Sequence, residues 1–296
     1  MGELDRLEEL RKKIIKKNAI GITIAILVGI FLIYITEGQF GIVMVAFIIG
    51  TILTTVLTSK DRKEFNEIYK RIVVLSSFKK MFTDIDYKPE SGIAYETIAS
   101  TQMMNMGDRY RSNDYIKAKY KNINFESADV HIEEEHTDDE GHTTYVTIFR
   151  GQWFIFDFNK QFKANIQVCA KNFHNARRGG LFSKTKYNKV SMEDMEFNKE
   201  FKVYAQNELD AFYVLTPNCM EKIKELKDKT KGRLLLCFIN NRLHVGLYNN
   251  QDLFEANIFK KINLEEEQDK TLKEMKIITE FVDTLDLDND LFRREV

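Results

Sequence analysis

The sequence predicts an α+β protein: an N-terminal two-helix transmembrane hairpin with a helical stalk, then a cytoplasmic antiparallel-sheet domain with flanking helices. Three observations predict it. Residues 19–36 and 38–59 carry no charged side chain; residues 3–17 and 61–82 repeat apolar side chains at helical spacing; and from about residue 84 alternating segments and tight turns take over. The expected division is 1–83 for hairpin and stalk and 84–296 for the domain.

The uncharged runs span 18 and 22 positions. At about 1.5 Å rise per residue each approaches the roughly 30 Å of a bilayer core. A buried hairpin in a soluble protein is the alternative, disfavoured because two such runs seldom share one core. A cleaved signal peptide is disfavoured too, since no small-residue cleavage site follows the first run and a second run comes directly after it. Glu37-Gly38-Gln39 leaves room only for a tight turn. Arg11, Lys12, Lys13, Lys16 and Lys17 precede the first run, and Lys60, Arg62 and Lys63 follow the second. The positive-inside rule then places both termini in the cytoplasm of a multi-pass plasma-membrane protein. With no ionisable group inside either span, a proton relay or gating charge is not expected there.

Gly21, Ala25 and Gly29 recur at a four-residue beat in the first span, and Ala46, Gly50, Thr54 and Thr58 in the second. Such seams suit packing of the two spans on each other, the preferred reading, or oligomerisation. Leu4, Leu7, Leu10 and Ile14, and then Phe65, Ile68, Ile72, Leu75 and Phe82, predict two antiparallel stalk helices continuing the spans. Gly2 follows Met1, but Arg6 stands where the myristoylation pattern needs Ser or Thr.

In the domain, Gly92–Met106 reads as a helix and 114–125 as one or two strands. Residues 127–136 and 142–150 read as strands about the turn Asp138–Gly141, and Trp153–Phe158 with Phe162–Val168 as another pair about Asn159-Lys160. Phe201–Ala205 and Ala211–Leu215 are strand-like. Thr216 and Pro217 open a helix over 217–229 as N-cap and first helical residue. Arg233–Ile239 and Leu243–Tyr248 form a hairpin, and Asn263-x-x-Glu266 starts a last helix over about 264–286.

Overall charge excludes a uniformly basic nucleic-acid binder: 44 Lys+Arg face 45 Asp+Glu, for a net charge of −1. Three cysteines without a C-x-x-C signal neither a disulfide framework nor a zinc site and suit a reducing compartment. Locally the signs separate, with eight Asp/Glu and no Lys or Arg from Asn122 to Phe149, and eight Lys/Arg and no Asp or Glu from Lys160 to Val190. The basic stretch holds Arg177, Arg178, Leu181, Phe182, Lys184, Lys186 and Lys189. A cationic loop carrying an apolar pair is a candidate contact for anionic lipids or a protein partner; the alternative is a solvated loop whose Leu181 and Phe182 tuck onto the core. Nucleic acid is not an expected partner, since no recognised module occurs.

His131, His136 and His142 lie among carboxylates, but their spacing matches no defined ligand set, and a solvated acidic hairpin is preferred to a metal site. No metal and no cofactor are expected. No G-x-G-x-x-G, Walker loop, H-E-x-x-H or G-x-S-x-G occurs, so nothing positive signals an enzyme and no catalytic residue is assigned.

Glu193-Asp194-Met195-Glu196-Phe197-Asn198-Lys199 and Leu215-Thr216-Pro217, with RGQWFIFDFNKQFKANIQV upstream and Asp252–Glu255 downstream, carry a resemblance over roughly residues 70–260. They resemble an uncharacterised bacterial domain-of-unknown-function family of membrane proteins with N-terminal transmembrane helices and a cytoplasmic globular domain. The resemblance implies no activity, and it leaves out the acidic hairpin and the tail past 265. Physically, the first motif caps and orders the chain entering a strand with Phe197 and Phe201 buried; a recognition surface is the alternative. The expectation is a membrane-anchored cytoplasmic binding or scaffolding module contacting lipid headgroups, a protein partner or a second copy of itself. The contrasting class is a membrane-bound enzyme acting on lipid or a lipid-linked substrate.

Overall fold

In the computed structural model, which describes residues 2–35, 40–157, 165–173 and 187–287, both uncharged runs are helical over their described residues. They lie in α1 (Glu3–Ile35) and α2 (Phe40–Tyr69). A π-helical stretch (Lys70–Leu75) and α3 (Ser76–Met81) carry the second helix onward without a break. The turn at Glu37 lies outside the described residues. Both helices are long and apolar enough to cross a membrane, and only 11% and 6% of their apolar windows are buried. Ile24, Leu27, Ile30 and Phe31 on one, and Ile49, Leu53 and Leu57 on the other, face outward. A soluble core helix hides such side chains, whereas a bilayer solvates them. These are two candidate membrane-spanning helices, and they associate the chain with a membrane.

The chain divides into two units, Met1–Ser77 with Phe254–Thr271, and Phe78–Leu253 with Leu272–Val296. In the first, small residues let α1 and α2 approach closely. A Cβ on Gly21 would stand 2.2 Å from Thr54 Oγ1, and one on Gly50 3.2 Å from the Ala25 Cβ. The seam therefore serves packing of the two helices on each other. Beyond it the stalk buries Leu7, Leu10, Ile14 and Phe65, while Leu4 stays exposed. Lys13 and Lys17 both reach Asp61 at 2.7 Å and hold its carboxyl below the usual range. Tyr69 donates to Glu267 at 2.8 Å, and Gln268 to Ser76 at 2.8 Å, tying the 254–271 segment to the same helices.

The second unit is built on β1 (Thr83–Lys88), β2 (Arg109–Tyr120), β3 (Ile123–Thr137), β4 (Thr143–Asp157), β5 (Ile166–Ala170), β6 (Asn188–Val190), β7 (Phe201–Ala205), β8 (Arg233–Ile239) and β9 (Arg242–Tyr248). Among the described residues these nine form one antiparallel sheet, ordered β1-β2-β3-β4-β9-β8-β5-β7-β6. The helices are α4 (Tyr95–Ala99), α5 (Met195–Glu200), α6 (Glu208–Val214), α7 (Pro217–Lys229) and α8 (Leu264–Thr284). The predicted α+β class holds.

Several local expectations change. The helix expected over Gly92–Met106 shrinks to α4, because Gln102 takes a left-handed φ of 51° and ends the run. Ala211–Leu215, expected as a strand, lies largely in α6, where the Asn207 side chain caps Leu209 N at 3.0 Å and Glu208 and Asp210 suit the helix N-terminus. The turn expected about Asn159-Lys160 lies outside the described residues; among the described ones, Trp153–Asp157 does not pair with Ile166–Val168. Trp153 to Asp157 continue β4 and pair with β9, while β5 pairs with β7 and β8. The hairpin about Asp138–Gly141 forms as expected, closed by Gly141 N donating to Asp138 O at 3.0 Å with Gly141 at φ +83°.

Central strands are covered on both faces, so β4 is buried continuously from Gly151 to Phe156. On one face Phe281 of α8 packs on Phe154 and Phe156, with ring centroids 5.3 and 6.0 Å away. On the other Trp153 is fully buried beside Gly246 and His244.

Candidate functional site

Buried strands are expected to carry apolar side chains, and β2, β3 and β4 break that rule at one place. Across the three strands Arg111 pairs with His131 and His131 with Arg150; one step along, Asn113 pairs with Asp129 and Asp129 with Gln152. Side chains two residues apart share a face, so the two rows form one polar patch. The segment after β9 folds onto it: Leu253 N donates to Asp129 at 2.8 Å, Gln152 to Gln251 O at 3.1 Å and Asn249 to Gln152 at 2.8 Å. A recess of about 380 Å³ results, lined by Arg111, Asn113, Asp129, His131, Arg150 and Asp252 among others.

Asp129 is the chemical centre of this recess. It is 6% exposed, accepts from Gln152 at 3.1 Å and from Leu253 N, and shares a hydrogen bond with Asp252. Burial, reinforced by the hydrogen bond and charge of Asp252, raises its carboxyl well above the usual range. A third carboxylate arrives through a bulge. The β2–β3 register shifts between Asn113 and Ile116, and Asp114 there adopts φ 57° with its side chain buried. Tyr87 and Asn113 donate to it. One oxygen each of Asp114, Asp129 and Asp252 lies within 4.8 Å of the others, a set able to hold a cation. Two cationic arginines line the same recess, and burial together with Asp252 favours the protonated form of Asp129.

His131 is half-buried, and its pKa is lowered, first by burial and then by the charges of Arg150 and Arg111 against the opposing pull of Glu133. Among the described residues Arg111 and Arg150 form no ion pair with a carboxylate. Two uncommitted guanidinium groups flanking a largely neutral imidazole are an anion-binding arrangement.

The recess is not where the sequence pointed. Arg177, Arg178, Leu181, Phe182, Lys184 and Lys186 lie outside the described residues; Lys189 is exposed on the edge strand β6. The three histidines do not converge: His131 lines the recess, while His136 and His142 are exposed at the hairpin end beside Glu134 and Asp138, at 3.5 and 3.3 Å. The motif residues open a short helix, α5, ahead of the strand β7 they were expected to lead into. Asp194 caps α5 by accepting from Glu196 N and Phe197 N at 2.8 and 3.0 Å and pairs with Lys224 at 2.7 Å. Asn198 closes back on Met192 O at 2.6 Å, Lys199 pairs with Glu196 at 2.7 Å, and Phe197 stacks on Phe201 at 4.9 Å, both buried. Glu193 is exposed at the entry to the turn. Thr216 caps α7 through Cys219 N at 3.3 Å, with Pro217 in the first turn. Thr216→Ala is expected to cost about 1 kcal/mol of stability, with Thr216→Asn near wild type, in urea unfolding followed by circular dichroism. One signal for the recess was present in the sequence: Arg111/Asn113, Asp129/His131 and Arg150/Gln152 each set two polar residues at period two inside strand-forming segments.

Fold and site together define a membrane-associated α+β protein whose sheet unit carries a polar, ligand-sized recess. Residues 147–287 match the model of a family described as "Protein of unknown function (DUF3137)". The resemblance to an uncharacterised domain family is thereby met, with a matched segment that starts later than the motifs suggested and runs on past residue 265. Comparison with curated proteins gives no match. Among solved structures, the crystal structure of the mycobacterial trehalose monomycolate transport factor A, TtfA, is similar at TM-score 0.36 and 10% identity, over 74% of this chain and 95% of that one. A likeness of that size decides neither the fold nor the function of this chain.

Proposed function

We propose that this chain is a membrane-anchored binding module whose recess receives a small polar molecule bearing a phosphate or carboxylate group. On this reading residues 1–83 anchor the 84–296 domain at the cytoplasmic face of a bacterial plasma membrane, as a multi-pass protein with both termini cytoplasmic. The flanking lysines and arginines support that orientation. The basic residues of 171–189 provide a second contact, with anionic headgroups or a protein partner.

The observation that carries the binding role is that Arg111 and Arg150 line one recess without a carboxylate partner among the described residues. Hydrogen bonds to charged groups contribute about 1.5–3 kcal/mol each, so removing one guanidinium is expected to weaken anion binding roughly 10- to 100-fold. Titration of the full chain in detergent with inorganic phosphate checks this, comparing wild type with Arg111→Gln and Arg150→Gln. Absence of saturable binding at millimolar phosphate, or binding indifferent to both changes, removes the proposal. An enzyme acting on lipid or a lipid-linked substrate is the second reading, favoured by the hydrogen-bonded Asp129–Asp252 pair, with Asp129 raised by burial, beside the two arginines. Turnover that depends on Asp252 would select it over simple binding.

A further inference from the structure

The segment between β9 and α8 carries an apolar side chain in an unusual place. Phe259 is 80% exposed, more than any other phenylalanine whose side chain is described. It stands on a rigid support. Asn257 closes a turn beneath it, its side chain accepting from Phe259 N at 3.0 Å and its carbonyl from Lys260 N at 3.1 Å. Arg11 of α1 donates to Ile258 O at 3.3 Å and is itself held by Glu8 at 2.6 Å. Ile262 N donates in turn to Glu8. The turn is thus bound to the stalk on both sides of Phe259, and the exposed ring is held in position.

Its neighbours fix the level at which the ring sits. Phe259 lines a groove with Asn18, Ile22, Thr51, Thr55 and Arg62. Asn18 is the last residue before the first uncharged run and Ser59 ends the second, so the groove runs from the charged stalk into the spans. The next two residues, Lys260 and Lys261, are both exposed. An aromatic ring beside the first turns of a span, followed at once by two cations, matches the layering of a bilayer interface: apolar side chains at the acyl boundary, ammonium groups among the phosphates.

We propose that the Asn257–Lys261 turn is a membrane-interface wedge, with Phe259 inserted at the acyl boundary and Lys260 and Lys261 among anionic headgroups. The occupant of this surface is the lipid of the bilayer that the hairpin crosses. The wedge gives the anchor a third point of attachment besides its two spans, far from them in sequence and next to them in space. This rests on the membrane-anchored reading above, and the test separates the two.

Single cysteines at positions 259, 53 and 139 (Phe259→Cys, Leu53→Cys and Asp139→Cys, each with Cys219→Ser) are labelled with an environment-sensitive fluorophore. Cys169 and Cys237 are buried and their thiols are pushed far up by burial, so they stay unlabelled. Each full-length variant is reconstituted in phosphatidylcholine vesicles with or without phosphatidylglycerol, recovered by flotation and checked by circular dichroism. Quenching by lipids brominated near the headgroup is then measured. The wedge predicts a blue-shifted, quenched label at 259, with quenching increased by phosphatidylglycerol, and that increase lost in Lys260→Gln/Lys261→Gln. A label at 259 that behaves like the water-exposed one at 139, while 53 is quenched, overturns the wedge and leaves the anchor. If 53 is not quenched either, the anchored reading falls with it.

Discussion

Trp153→Ala is expected to be the most destabilising single substitution in the sheet unit, at about 3–5 kcal/mol. Trp153 is fully buried and packs edge-on against Phe149, with centroids 5.6 Å apart, while its indole N–H donates to His244 Nδ1 at 3.3 Å. Its position opposite Gly246, its pairing partner across β4 and β9, explains the size of the effect. A Cβ at Gly246 would lie 2.7 Å from Trp153 Cζ3 and 3.3 Å from Phe149 Cε2, so the glycine is the space the indole fills. Removing the ring leaves a void that two hydrogen-bonded strands cannot close. Gly246→Val alone forces the indole out and is expected to cost about 1–3 kcal/mol. Combined with Trp153→Ala, the valine refills part of the void and the pair should cost less than the sum of the two. Urea unfolding by circular dichroism checks all three; strict additivity would show that the two positions do not share space. Against a typical total of about 5–15 kcal/mol, the first change alone removes a large fraction.

Acid is expected to weaken the same unit through His244, by about 3 kcal/mol between pH 6.5 and 4. Burial, with a smaller contribution from Arg242, lowers its imidazole from 6.5 to about 4. The hydrogen bond acts in the same direction: Nδ1 accepts from the Trp153 N–H, so a proton placed there would face another donor in a dry site. A group whose folded pKa is depressed contributes stability that is complete above its unfolded value and lost as pH falls through its folded value. Here that window runs from about 6.5 down to about 4. Asp129 acts in the opposite sense: its raised folded pKa contributes stability at low pH that is lost as pH rises through that folded value. His244→Gln, which keeps an acceptor for the indole, isolates the histidine: the stability difference from wild type should shrink as pH falls from 7 to 4. A difference independent of pH would mean that His244 is not held neutral.

How much of this was legible in the sequence depends on the range of the interaction. The apolar helices were legible because two long uncharged runs are a property of consecutive residues. So were the α7 cap at Thr216, the burial of Phe197 against Phe201 and the β8–β9 hairpin, each fixed within a few positions. Ala211–Leu215 was misread because its Ala-Phe-Tyr-Val-Leu run suits a strand as well as a helix; the Asn207 cap and the acidic first turn decided for the helix. The partner of Trp153–Asp157 was misread for another reason. A short intervening segment suggests a hairpin, yet β9, almost ninety residues further on, is the strand that pairs with it.

By itself the sequence determined that this chain presents two bilayer-length apolar helices before an α+β domain, since charge-free length and local periodicity need no fold to be read. Only the tertiary structure decided the recess and the wedge. Arg111, Asp129, Arg150 and Asp252 come from β2, β3, β4 and the segment after β9, and strand register brings them together. Phe259 acquires meaning only because Arg11, nearly 250 residues earlier, holds its turn against the stalk. Membrane spans are selected by solvation of each residue in turn; sites are selected by register and packing between segments that the linear sequence keeps apart.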